Sequence, residues 1–128
     1  MNQIVIAFDI DGTLRDNTVE DRLVANERIR TLLIALASMK NTTIMLWSGG
    51  GAKYARQVAA AMAIEQYVDV YEDKKYGGYD PQGHPIFHTD LKPDIAFDDI
   101  QECNLGALNL IVDEKGFTPG YVPPELRQ

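Results

Sequence analysis

Soft metal ligands are scarce in this chain, with one cysteine, Cys103, and two histidines, His84 and His88, in 128 residues. A lone cysteine forms no intrachain disulfide, so nothing in the sequence asks for an oxidising compartment. Nor do the three residues make a zinc site. Pro85 breaks any helical register within "HPIFH", and no fourth ligand accompanies them. Basic charge is also in short supply. Twelve Lys and Arg against nineteen Asp and Glu leave a net charge of −7, which works against holding nucleic acid or anionic lipid by charge alone. A small anionic substrate stays compatible with that balance, and a nucleic acid does so only through a locally held end phosphate. No apolar run approaches the roughly 20 residues of a membrane span, and no basic segment leads into a long apolar one at the start. The expected setting is soluble and cytoplasmic. With 45% hydrophobic residues, the chain can build one compact domain with a core and is too short for two ordinary ones.

The residues that are present alternate between two periods. Residues 4–8 (IVIAF), 43–47 (TIMLW), 67–71 (YVDVY), 94–98 (DIAFD) and 108–112 (LNLIV) are short apolar or β-branched runs, the pattern of strands covered on both faces of a parallel sheet. Between the first two, Ile29, Leu32, Leu33 and Leu36 recur at helical spacing and predict a helix from about Asn26 to before Asn41. "AKYARQVAAAMAI" predicts a second helix, with Ala55, Val58, Ala59 and Met62 on one face. Strands separated by helices imply a doubly wound, Rossmann-like α/β sandwich of three layers around a five-stranded parallel sheet. The interval from about 72 to 93 breaks this rhythm. Its "EDKKYGGYDPQGHPIFHTDLK" carries three glycines and two prolines, which predicts a long loop or hairpin. The Pro-rich tail "GFTPGYVPPELRQ" is expected to lie extended over the surface.

In such sheets ligands gather outside the carboxyl ends of the strands. That edge collects Asp9 and Asp11 with Gly12 and Thr13, then Ser48 with Gly49, then Lys74 and Lys75, then Asp98 and Asp99. Alternation puts Asp9 and Asp11 on one side of the chain about 7 Å apart, where a cation would offset their repulsion. One carboxylate can attack phosphorus, a second can move protons, and Mg²⁺ on the acids neutralises the incoming phosphate. Ser48, Gly49, Gly12 and Thr13 offer hydroxyl and backbone N–H groups for phosphate oxygens, as a lysine offers charge. Lys92 in "LKPD" is less apt, because it precedes Asp98 by six residues of expected strand, roughly 20 Å. Lys74 is the first choice and Lys75 the second. "SGGGAK" is not a nucleotide loop: it lacks Gly-Lys-Ser/Thr, and Tyr54 stands where a dinucleotide fingerprint needs its third glycine.

"FDIDGTL", with Ser48 in "LWSGG" and the pair in "IAFDDI", resembles the signature of the haloacid dehalogenase superfamily. The resemblance runs along most of the chain. It implies a Mg²⁺-dependent phosphatase with Asp9 as nucleophile and Asp11 as general acid/base, Asp11 also lending its backbone carbonyl to the metal. It further implies Ser48 on the phosphate, and Asp98 and Asp99 completing the metal site. The gap after strand one, about residues 12 to 25, and that after strand three leave no room for a folded cap of the larger type. Residues 1–128 therefore resemble a single capless catalytic domain, most similar to small bacterial phosphatases and to the 3′-phosphatase domain of phage polynucleotide kinases. A second protomer covering the open site is one expectation of that class. Receiver domains, a regulatory alternative that also binds Mg²⁺, end strand five with a lysine, as Lys115 nearly does. They place adjacent acids after strand one, whereas here the spaced pair is at strand one and the adjacent pair at strand four.

Overall fold

The structure, a computed structural model, describes residues 3–100, 104–113 and 116–120. Strand β1 (Ile4–Asp9) leads through a polar flap into helix α1 (Glu27–Ala37), then β2 (Thr42–Ser48), α2 (Ala52–Ala61), a 3₁₀ turn at Glu65–Tyr67, and β3 (Val70–Asp73). A hairpin of β4 (Lys75–Tyr79) and β5 (Pro85–His88) follows, and then β6 (Ile95–Asp98), β7 (Leu108–Val112) and β8 (Phe117–Pro119). The main sheet has six strands in the order β3-β2-β1-β6-β7-β8. Its first five are parallel, and β8 adds antiparallel to β7. No described helix is long and apolar enough to cross a membrane.

Alternation along the central strands sorts the core into two faces. On one, Ile6, Phe8, Ile44, Leu46 and Phe97 meet Ile29 and Leu33 of α1 and Ala55, Val58 and Ala59 of α2. On the other, Val5, Ala7, Met45, Trp47, Ala96 and Ile111 pack with Leu105 and with Phe87 of the hairpin. Both helices therefore lie on the same face. The five expected parallel strands are present, but the second helical layer of a doubly wound sandwich is not found among the described residues, and β8 is an addition. The cause is local chemistry. Gly78 and Gly83 sit at positive φ (95° and 85°), and Asp80 holds the turn by accepting from the backbone N–H groups of Gln82 and His84 at 2.9 Å each. Such a stretch turns back on itself instead of winding a helix.

Boundaries shift in two places. The helix expected to continue through Ile64 stops at Ala61, since Ala63 takes a left-handed φ of 56°. The strand expected at 67–71 pairs only from Val70, in register with Met45, because Tyr67 belongs to the 3₁₀ turn. Of the residues weighed as ligands, His84 lies 3.5 Å from Asp80 and His88 pairs in register with Lys75, at opposite ends of the hairpin. Cys103 and Lys115 lie outside the described residues.

Candidate active site

Adjacent parallel strands carry two acids to the same sheet edge. Phe8 of β1 pairs in register with Phe97 of β6, so the next residues, Asp9 and Asp98, end side by side. Both are almost wholly buried, at 5% and 1% exposure. Asp99 completes the group, and one carboxylate oxygen from each of the three lies within 4.8 Å of the others. Lys74 enters from the far side of β2. Its backbone N–H donates to the Ser48 carbonyl at 3.0 Å, and its ammonium donates to Asp9 Oδ1 and Asp98 Oδ2 at 3.2 Å each. The same ammonium sits 4.1 Å from the ring centre of Trp47 and 5.6 Å from that of Phe87. Aromatic faces thus attract the lysine and keep water from it.

Desolvation dominates the electrostatics. Burial, then repulsion from Asp98, pushes the Asp9 carboxyl up to about 8 against the opposing pull of Lys74. Asp98 is raised as well, by burial first, with Lys74 opposing. Burial disfavours the Lys74 charge, yet Asp9 and Asp98 outweigh it and hold its pKa above the ordinary value. With all three carboxylates ionised, the one ammonium would leave more negative charge than it offsets, and a proton held on Asp9 is one way to relieve it. An added cation is another. All three donors are carboxylate oxygens, the set a hard cation such as Mg²⁺ prefers over thiolate- or imidazole-seeking metals. The residues present fit a hard divalent cation, Mg²⁺ among them.

The turn after β1 is built around Gly12. At φ 85° a Cβ there would stand 2.1 Å from Asp99 Oδ2, so only glycine lets Asp99 close over the β1 turn. Thr13 is fully buried and directs its hydroxyl to Asp9 Oδ2 at 3.4 Å. At the end of β2, Ser48 Oγ accepts from Gly50 N–H at 3.0 Å, which leaves its own hydroxyl proton to donate. Gly49 beside it is exposed. Asp73, at the end of β3, accepts from the Ala52 N–H at 2.7 Å. It thereby caps α2 from another strand, because the N-cap position is Gly51, which has no side chain to do so.

Asp11 is set apart. Its carboxylate is exposed and lies outside the three-acid group; it accepts from the Tyr54 hydroxyl at 2.7 Å and from Arg15 Nη1 at 3.4 Å. Arg15 also donates to the Tyr54 oxygen at 3.3 Å. Asp9, Lys74, Asp98 and Asp99 are thus brought together with Thr13, and Ser48 ends the neighbouring strand. Lys75, the second lysine considered, pairs with exposed Asp90 at 2.6 Å and takes no part. Lys92 is exposed and precedes β6, as the strand-length argument requires. Tyr54 and Arg15 were not legible as partners of Asp11, since they come from a helix and from the flap and meet only in three dimensions. The aromatic seat of Lys74 was hidden for the same reason, Trp47 lying on β2 and Phe87 on the hairpin. Compared with protein-family models, with curated proteins and with solved structures, the chain matches none.

Proposed function

We propose that this chain is a phosphomonoester hydrolase of the haloacid dehalogenase type, Mg²⁺-dependent and working through an aspartyl-phosphate on Asp9. One observation carries the reading. A nearly buried Asp9 shares one lysine with Asp98 and lies beside Asp99 at the carboxyl edge of a parallel sheet. Asp9, Asp98 and Asp99 are the residues that would hold Mg²⁺, which supplies charge to offset the carboxylates and the arriving phosphate. Asp9 attacks phosphorus as its carboxylate, forming a P–O bond while the bond from phosphorus to the leaving oxygen breaks. Asp11, at the exposed mouth, gives that oxygen a proton. It then takes one from the water that attacks the acyl phosphate and releases inorganic phosphate, restoring Asp9. Tyr54 and Arg15 hold the Asp11 carboxylate in place during both transfers. Lys74 and the Ser48 hydroxyl are the donors available to the phosphoryl oxygens.

Phosphate release from p-nitrophenyl phosphate, with Mg²⁺ or with chelator, tests this for the wild type and Asp9→Asn together. Release that needs Mg²⁺ and falls by about 10³-fold or more in the variant is expected. A variant as active as the wild type contradicts the mechanism.

A further inference from the structure

A polar cleft of about 530 Å³ opens directly beside the acid cluster, sharing Gly12 and Asp99 with it. Its size is that of a small-molecule site. The walls come from the flap between β1 and α1, from Arg28 in the first turn of α1, and from the end of β7. Leaving Asp99 to the metal, the charged groups among its described lining residues are two guanidinium groups, Arg15 and Arg28, against two carboxylates, Asp16 and Asp113. That balance is neutral, which suits neither a second phosphate nor a nucleic-acid backbone. None of its described lining residues is aromatic, so they offer no face on which a base could stack. Two amides are unspent. Asn26 occupies the N-cap of α1 without using its side chain to cap the helix, and Asn17 lies in the cleft with its amide nitrogen near Gly12. Neither side chain makes a hydrogen bond to another described residue, a pattern that favours a ligand rich in hydroxyls.

We propose that this cleft seats the leaving group, and that the leaving group is a small polyol, so that the substrate class is a sugar or polyol monophosphate. The inference rests on the phosphatase reading and names its substrate. Carboxylates and amides accept from and donate to neighbouring hydroxyls, while phosphorus reaches Asp9 past Asp99 and Gly12.

The test compares kcat/KM for pentose, hexose and glycerol monophosphates with that for nucleoside monophosphates and a 3′-phosphorylated oligonucleotide, p-nitrophenyl phosphate serving as reference. The best sugar or polyol phosphate is expected to exceed both nucleic-acid classes by about tenfold or more, the scale on which unpaired hydrogen-bonding groups discriminate. A nucleotide or oligonucleotide preferred over every sugar phosphate overturns the substrate class while leaving the phosphatase reading intact. Absence of release even from p-nitrophenyl phosphate removes that reading and this inference with it. Asn17→Ala and Asn26→Ala are each expected to raise KM for the best sugar phosphate by about tenfold, with a smaller rise for p-nitrophenyl phosphate. Equal changes for the two substrates overturn the cleft assignment. A readout without turnover accompanies these: the same sugar phosphate is expected to raise the Tm of Asp9→Asn more than a nucleoside monophosphate does, and the reverse order counts against the proposal.

Discussion

At the scale of single residues, the Asp9 charge is conditional. The carboxyl keeps its proton up to about pH 8 in the folded protein, against an ordinary value of 3.8. Between those values the folded state binds more protons than the unfolded one, so metal-free stability falls as pH rises through that window. On the proposed function, Mg²⁺ binding at Asp9 would have to displace the proton, which is easy near pH 8 and costly near pH 5. Mg²⁺ is therefore expected to raise Tm more at pH 8 than at pH 5, read by thermal melts against chelator; equal shifts would remove Asp9 from the metal site. Asp11 has the contrasting position, exposed and held by Tyr54 and Arg15. Asp11→Asn is expected to slow hydrolysis by about 10²–10⁴-fold. The loss should be greater for alkyl phosphates than for p-nitrophenyl phosphate, whose leaving oxygen needs a proton least. Asp9 and Asp11 were legible in the sequence because period two and a following glycine mark a strand end, and Asp98 and Asp99 because a short apolar run ends on them. Lys74 was legible too, as the lysine that leaves strand three at the same edge, whereas Trp47 beneath it and Tyr54 on Asp11 were not, because they converge on the site from separate elements.

At the scale of elements, the ends of strands and helices place the chemistry. The Asp73 carboxylate joins the end of β3 to the start of α2, and so fixes the loop that carries Ser48 and Gly49. Asp73→Ala is expected to cost about 1 kcal/mol in urea denaturation; no change would show that water satisfies Ala52 N–H equally well. The Gly12 turn is less forgiving. Gly12→Ala would put a methyl group 2.1 Å from Asp99 Oδ2, and weakened Mg²⁺ binding by calorimetry is the expected result. Four of the five expected strands fall within a residue of their observed ends, since continuous apolar runs such as IVIAF and LNLIV fit little else. The strand expected at 67–71 slid to Val70–Asp73, because pattern alone does not distinguish a half-buried strand from the 3₁₀ turn before it. The glycines and Pro81 pointed to a loop or hairpin, whereas β8, three residues with only exposed side chains, offered a single apolar residue, Phe117, in a stretch expected only to lie extended.

At the scale of the molecule, one sheet face is a helical core and the other is closed by a hairpin. The two phenylalanines behind the acids, Phe8 and Phe97, stack with ring centres 4.8 Å apart on the helical face. Phe8→Ala is expected to cost about 3–5 kcal/mol of stability, read by denaturant unfolding; a loss under 1 kcal/mol would mean that the core collapses to fill the space. The hairpin face contributes Phe87 to the lysine that holds Asp9, so fold and chemistry meet on the face that no described helix covers. A sequence read by periodicity expects helices there, and only the glycines and prolines of residues 72–93 argue otherwise. The proposed mechanism depends most on Asp9 becoming covalently phosphorylated. The most direct measurement is a rapid acid quench during turnover, followed by borohydride reduction and peptide mass spectrometry. Reduction of an acyl phosphate converts the aspartate into homoserine. Homoserine at position 9, found only with substrate and Mg²⁺, is the predicted result. Homoserine at another position, or an unmodified Asp9 under conditions where phosphate is released and the intermediate is trapped elsewhere, would contradict it.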